Sequence, residues 1–257
     1  MCILVILRRP DHPRWPLLIG ANRDEMRQRP WSPPDAHWPE HPDILGGLDR
    51  IGQGSWLAMS RGGVLSTVLN RTGTLGGQPG KRSRGTLPLL ALRASTAREA
   101  VDRLKAGVDP EDYQACNLVV ADRGGDAFWI VLDPERIGTP GMTVVEVPCG
   151  LSILSSGELN DTAQKRVVAH LPRFRTADAP RPEVGDWHAW RALLGNREPV
   201  VADQKNSALC FQLASGFGTV SSSLIALAGD GGGDRWLFAP GPPDVTDYVP
   251  VSGLARW

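Results

Sequence analysis

Breakers interrupt every apolar run of this chain before it can grow long. Among 257 residues there are Gly 29 and Pro 22, so the fold must be assembled from many short elements joined by ordered loops. A helical bundle, which needs long amphipathic stretches, is excluded. The hydrophobic fraction of 41% and the charged fraction of 22% suit a soluble chain able to bury a sizeable core. A single domain over residues 1–257 is expected, because no internal repeat is visible and no linker is sharp enough to divide the chain.

Runs with strand composition come first: Cys2–Leu7, Pro16–Ala21, Ser55–Met59 and Val64–Asn70. The link Ser60-Arg61-Gly62-Gly63 fits a hairpin between the last two. Arg27–Gly47, rich in Pro, Trp and His, reads as a covering loop. Helical spacing then takes over. Thr86 and Pro88 open one helix, with Leu87, Leu90, Ala91 and Ala94 on one face. Thr96-x-x-Glu99 is a capping box for a second, with Ala100, Val101 and Leu104 inward and Gly107 at its end. Strands return at Asn117–Ala121, Ala127–Leu132, Thr143–Val147 and Gly150–Leu154. A helix from Asp161 to about Pro172 turns Val167, Val168 and Leu171 inward, and a loop covers Thr176–Glu183. Asp186 caps a short helix that Gly195 ends. Ala208–Leu213, Thr219–Leu227 and Trp236–Ala239 complete the strands. Such an order lacks the regular alternation of a doubly wound parallel sheet. It fits an α+β fold of two sheets packed face to face with helices outside.

Lys+Arg and Asp+Glu both total 28, so no global field draws the chain to nucleic acid or to an anionic membrane. The cysteines, Cys2, Cys116, Cys149 and Cys210, have no C-x-x-C spacing, and neither a zinc site nor a disulfide framework is legible. His12, His37 and His41 fall in loops and His170 and His188 on helices, without metal-ligand spacing. Each is expected to be solvated or to cap a loop, and no metal site is expected. The first apolar run is too short to span a bilayer and is followed, not preceded, by Arg8-Arg9. A cytoplasmic chain with reduced thiols, no signal peptide and no transmembrane segment is therefore expected.

Chemistry concentrates near the start. Cys2 follows Met1, and methionine is normally trimmed before so small a side chain. Trimming would place a thiol and a free α-amine on one residue, and the amine can act as the base for the thiol. Otherwise Cys2 is a small buried hydrophobe opening a strand. Asn22-Arg23-Asp24-Glu25 closes the second apolar segment. Alternation sets Asn22 and Asp24 on one face and Arg23 and Glu25 on the other, so Asp24 can hold the Cys2 amine or orient its thiol. The alternative is a solvated charged turn.

Beyond Cys2 and Asn22-Arg23-Asp24-Glu25 the chain carries Gly46-Gly47, Gly54-Ser55-Trp56-Leu57, Leu69-Asn70-Arg71 and Ser83-Arg84-Gly85. Cys116-Asn117-Leu118-Val119-Val120-Ala121-Asp122, Gly150-Leu151-Ser152 and Gly218-Thr219-Val220-Ser221-Ser222-Ser223 follow in register. Together these segments resemble the NRDE family, also called the transport and Golgi organisation protein 2-like family, over nearly the whole chain. The resemblance implies a four-layer αββα sandwich of the N-terminal-nucleophile hydrolase type. It is also similar to cysteine amidases of the choloylglycine hydrolase and penicillin V acylase type, although Ala21 stands where those carry arginine. Ile153 and Val220 stand where the family usually has asparagine and arginine. Under this resemblance Cys2, Asp24 and Asn70 are the catalytic candidates, Asn70 as an oxyanion donor. Asn22, Arg23, Arg71 and Arg84 are binding candidates. For Asn70 a loop-capping role, and for Arg84 a place in a helix-entry turn, are the competing readings. The implied function is hydrolysis of an amide or thioester of a small molecule, with no required cofactor. The alternative is a non-catalytic carrier of haem or an acyl lipid on the same scaffold.

Overall fold

The computed structural model describes residues 2–135 and 141–256. Strands β1 (Ile3–Arg8) and β2 (Leu17–Met26) are followed by β3 (Trp31–Asp35), β4 (Ile44–Asp49), β5 (Ser55–Ser60) and β6 (Val64–Asn70). Helices α1 (Thr86–Ala91) and α2 (Ala97–Gly107) come next, then β7 (Cys116–Asp122), β8 (Ala127–Leu132), β9 (Met142–Glu146) and β10 (Gly150–Leu154). Helices α3 (Lys165–Thr176) and α4 (His188–Leu194) precede β11 (Phe217–Leu227), β12 (Arg235–Ala239) and β13 (Val249–Pro250). The described strands form two antiparallel sheets, ordered β10-β1-β2-β11-β12-β13 and β3-β4-β5-β6-β7-β8-β9. Two compact units result, Met1–Arg29 with Pro148–Val251, and Pro30–Val147 with Ser252–Trp257.

In the first unit the two-residue period of the strands decides what meets the helices. Ile3, Val5, Leu18, Ile153 and Leu224 join Val167 and Phe174 of α3 and Trp190 and Leu194 of α4 in one cluster. Phe174 and Trp190 meet edge to face at 5.7 Å. Gly20 lies under this contact: a Cβ there would come within 3.0 Å of the Trp190 ring. Leu4, Ile6, Leu17 and Ile19, on the opposite face of the sheet, are also buried. Each such side chain contributes about 1.5–3 kcal/mol of transfer free energy.

In the second unit Val101 and Leu104 of α2 cover Cys116, Leu118, Val120 and Ile130. The capping box forms: Glu99 N–H donates to Thr96 Oγ1 at 3.1 Å, and Glu99 Oε2 accepts from Ser95 N–H at 2.8 Å.

Four expectations are corrected. Arg27–Gly47 is not merely a loop, since it contains β3 and the start of β4. Pro33 and Pro34 are tolerated because β3 is an edge strand, and Gly46 lets β4 approach β5, where a Cβ would meet that of Ala58 at 2.6 Å. Ala208–Leu213 is buried over Ala208–Phe211 but is not a strand. Its backbone is satisfied from elsewhere: Leu209 O accepts from Asn22 Nδ2 and Arg166 Nη2, and Cys210 N–H donates to Asn196 O. The third helix begins at Lys165 and carries Pro172 inside it, with Arg166, Val167, His170 and Phe174 inward and Val168 exposed. His170 is therefore neither solvated nor a loop cap, whereas His12 does cap a loop, its Nδ1 accepting from Arg14 and Trp15 N–H. Among the described residues no helix is long and apolar enough to cross a membrane.

Candidate active site

Register builds the site. Ile3 pairs with Asn22, which sets Cys2, one residue before β1, opposite Arg23 and next to the Asp24 peptide. The Asp24 N–H donates to Cys2 Sγ at 3.3 Å, and Sγ in turn donates to Asp24 O at 3.6 Å. Ser155, just beyond β10, donates its hydroxyl to Cys2 O at 2.9 Å. The partly buried sulfur is thus held by β2 on one side while its own carbonyl is pinned on the other.

The Asp24 carboxylate is fully buried and engaged elsewhere. Its Oδ2 lies 3.2 Å from Arg166 Nη1 of α3, and its Oδ1 accepts from Thr219 Oγ1 of β11 at 2.8 Å. Asn22 shares this face, donating to Leu194 O at 2.9 Å and Leu209 O at 3.0 Å. Arg23 and Glu25 share the other, as alternation requires, 4.0 Å apart. A bulge in β11 between Thr219 and Ser221 brings Thr219 across from Asp24 and Ser221 across from Arg23. Gly218 lets the Phe211–Gln212 segment pack against the start of β11, since a Cβ there would lie 2.5 Å from Phe211 O.

Burial, then the Asp24 carboxylate, push the Cys2 thiol above its ordinary range. The positive chain terminus, the Asp24 peptide N–H and Arg23 oppose them. A thiol in this setting needs a nearby base, and an α-amine on the same residue would be within reach of it.

Asn70, Arg71 and Arg84 belong to the second unit. Asn70 ends β6 opposite Cys116. Arg71 donates to Asn117 Oδ1 at 2.9 Å and pairs with Asp133 at 3.8 Å. The Arg84 guanidinium donates to Thr74 O at 2.7 Å, Thr74 Oγ1 at 2.9 Å and Gly76 O at 2.8 Å, and so organises the loop after β6. Arg166 and Thr219 escaped the sequence reading as site residues. A signal for Arg166 did exist: Arg166, His170 and Phe174 recur at helical spacing on the inward face, two polar groups where apolar ones are the rule.

Comparison with solved structures defines the class. A conjugated bile acid hydrolase variant from Clostridium perfringens matches with a TM-score of 0.54 at 13% identity, over 97% of this chain and 92% of that one. The Caenorhabditis elegans ortholog of N-acylethanolamine-hydrolyzing acid amidase matches with a TM-score of 0.55 at 12% identity, over 100% and 96%. The chain therefore has the α+β fold of the N-terminal-nucleophile hydrolases. Residues 1–184 match the family model Transport and Golgi organisation 2, and the chain belongs to this family. No curated protein matches it.

Proposed function

We propose that this chain is an N-terminal-cysteine hydrolase acting on an amide or thioester bond of a small molecule. The observation that carries the reading is the Asp24 peptide on the Cys2 sulfur, N–H to Sγ at 3.3 Å. After removal of Met1, the Cys2 α-amine takes the thiol proton and the thiolate attacks the substrate carbonyl. The C–N or C–S bond breaks, the leaving group departs with that proton, and a thioester forms on Cys2. Water then attacks the thioester, releasing the acid and restoring the thiol. The Asp24 peptide orients the sulfur, and Arg23 lends positive charge beside it. The solved structures named above are described as a conjugated bile acid hydrolase and an N-acylethanolamine-hydrolyzing acid amidase ortholog, which supports hydrolysis of an amide-type bond here.

The test is intact mass after incubation with an activated acyl probe. Expected is one acyl group on Cys2 of a Met1-trimmed chain, absent in Cys2→Ala and slowed in Asp24→Asn. A chain that retains Met1 and takes no acyl group, yet gives a tight haem absorbance shift, would make it a carrier instead.

A further inference from the structure

The Asp24 carboxylate owes its position to α3, a helix remote in sequence. Arg166 gives Nη1 to Asp24 Oδ2 at 3.2 Å and Nη2 to Leu209 O at 2.9 Å, while its guanidinium lies 5.5 Å from the centre of the Phe211 ring. Leu209 O is the same carbonyl that Asn22 holds from β2. Arg166 is therefore fixed on three sides, and Thr219 closes the remaining side of the carboxylate. An ion pair this deeply buried is a costly way to join a helix to a strand, because well-packed apolar side chains often do as well or better. What an apolar pair could not supply is a fixed charge next to the Asp24 peptide, on which the sulfur of Cys2 rests.

We propose that Arg166 is a positioning residue that acts on Cys2 through Asp24. The guanidinium locks the carboxylate in one orientation and offsets its negative field at the sulfur, so that a thiolate can form beside an acid. The charged groups facing Cys2 and Asp24 are Arg23 from β2, Arg166 from α3, and the chain terminus; Thr219 and Ser155 bring neutral hydroxyls. Asp24 raises the thiol and Arg23 lowers it, the pattern expected where fixed charges at close range set thiol reactivity. The inference rests on the hydrolase reading only in naming Cys2 as nucleophile.

The experiment is the pH dependence of Cys2 alkylation by iodoacetamide on the full chain, followed by mass mapping of the N-terminal peptide. Wild type, Arg166→Met, Arg166→Lys, Asp24→Asn and Arg166→Met with Asp24→Asn are compared. Arg166→Met is expected to raise the midpoint by about one pH unit, as for loss of a cation that offsets a nearby carboxylate. Arg166→Lys stays near wild type. The double variant has the midpoint of Asp24→Asn alone, since without the carboxylate Arg166 has nothing to act through. A midpoint that stays or falls in Arg166→Met, or a shift that adds in full to that of Asp24→Asn, overturns the proposal. Should Arg166→Met not fold, Thr219→Val loosens the same carboxylate and should give a smaller rise that again disappears in Asp24→Asn. Alkylation reports thiol ionisation whether or not a substrate is turned over. No acylation with an Arg166-dependent midpoint sinks the hydrolase reading alone; acylation with an Arg166-independent midpoint sinks the positioning role alone.

Discussion

Cys2 and Cys116 stand at corresponding places, each at the start of a strand in an antiparallel sheet, and their surroundings differ in kind. Cys116 opens β7 inside an apolar cluster with Val101, Leu104 and Leu118. Burial pushes its thiol up to about 12, even though Arg84 and Arg71 pull the other way. Cys2 is partly open and is met by a peptide N–H. Around it the buried groups are polar and mutually bonded: Asn22, Asp24, Arg166 and Thr219. One neighbourhood is held by packing and silences its sulfur. The other is held by a network of directed contacts around a residue left partly exposed.

The sharpest way to break this contrast is selective alkylation of the folded chain. Cys2, in a partly exposed residue, should react faster than the fully buried Cys116 on grounds of access, and comparable rates would erase the distinction. Stability comes next. Arg166→Met strands a buried carboxylate and should cost about 3–5 kcal/mol. Leu104→Ala, which opens a cavity in the apolar neighbourhood, should cost about 2–5 kcal/mol in urea unfolding. The two losses are similar in size, but only the first should alter the pH profile of Cys2.

Acid should separate the neighbourhoods further. Burial, together with Arg166 and Arg173, holds His170 down at about 4 against an ordinary 6.5. A histidine lowered on folding is neutral in the native state, so its stability contribution is complete above 6.5. That contribution is lost as pH falls from 6.5 towards 4, because the unfolded chain takes the proton first. About 3 kcal/mol is at stake, and His170→Leu should flatten this acid limb in denaturant titrations. A limb of unchanged steepness would assign the acid sensitivity elsewhere. Thr96→Ala is the smallest change, removing the hydroxyl that accepts from Glu99 N–H. A loss of about 1 kcal/mol with no effect on Cys2 reactivity is expected.

Much of the fold was legible because it is local. Val64–Asn70, Ala127–Leu132 and Gly150–Leu154 coincide with their strands, and Thr96-x-x-Glu99 caps α2 as its spacing demands. What escaped depends on distant partners. β3 carries two prolines that propensity rejects and only an edge position permits. Ala208–Phe211 has a strand's composition, but its carbonyls are taken by side chains from β2 and α3. The same holds for the site. The period of two correctly paired Asn22 with Asp24 and Arg23 with Glu25, while the guanidinium opposite Asp24 arrives from 142 residues further along. No local pattern encodes that meeting.

Strand order has a consequence for how the chain is made. β1 is flanked by β10 and β2, and β2 in turn by β11, so the sheet that carries Cys2 cannot close until residues near 227 have been synthesised. Translation delivers the first segment early and its partners late, leaving it unsheltered for most of the ribosome's transit.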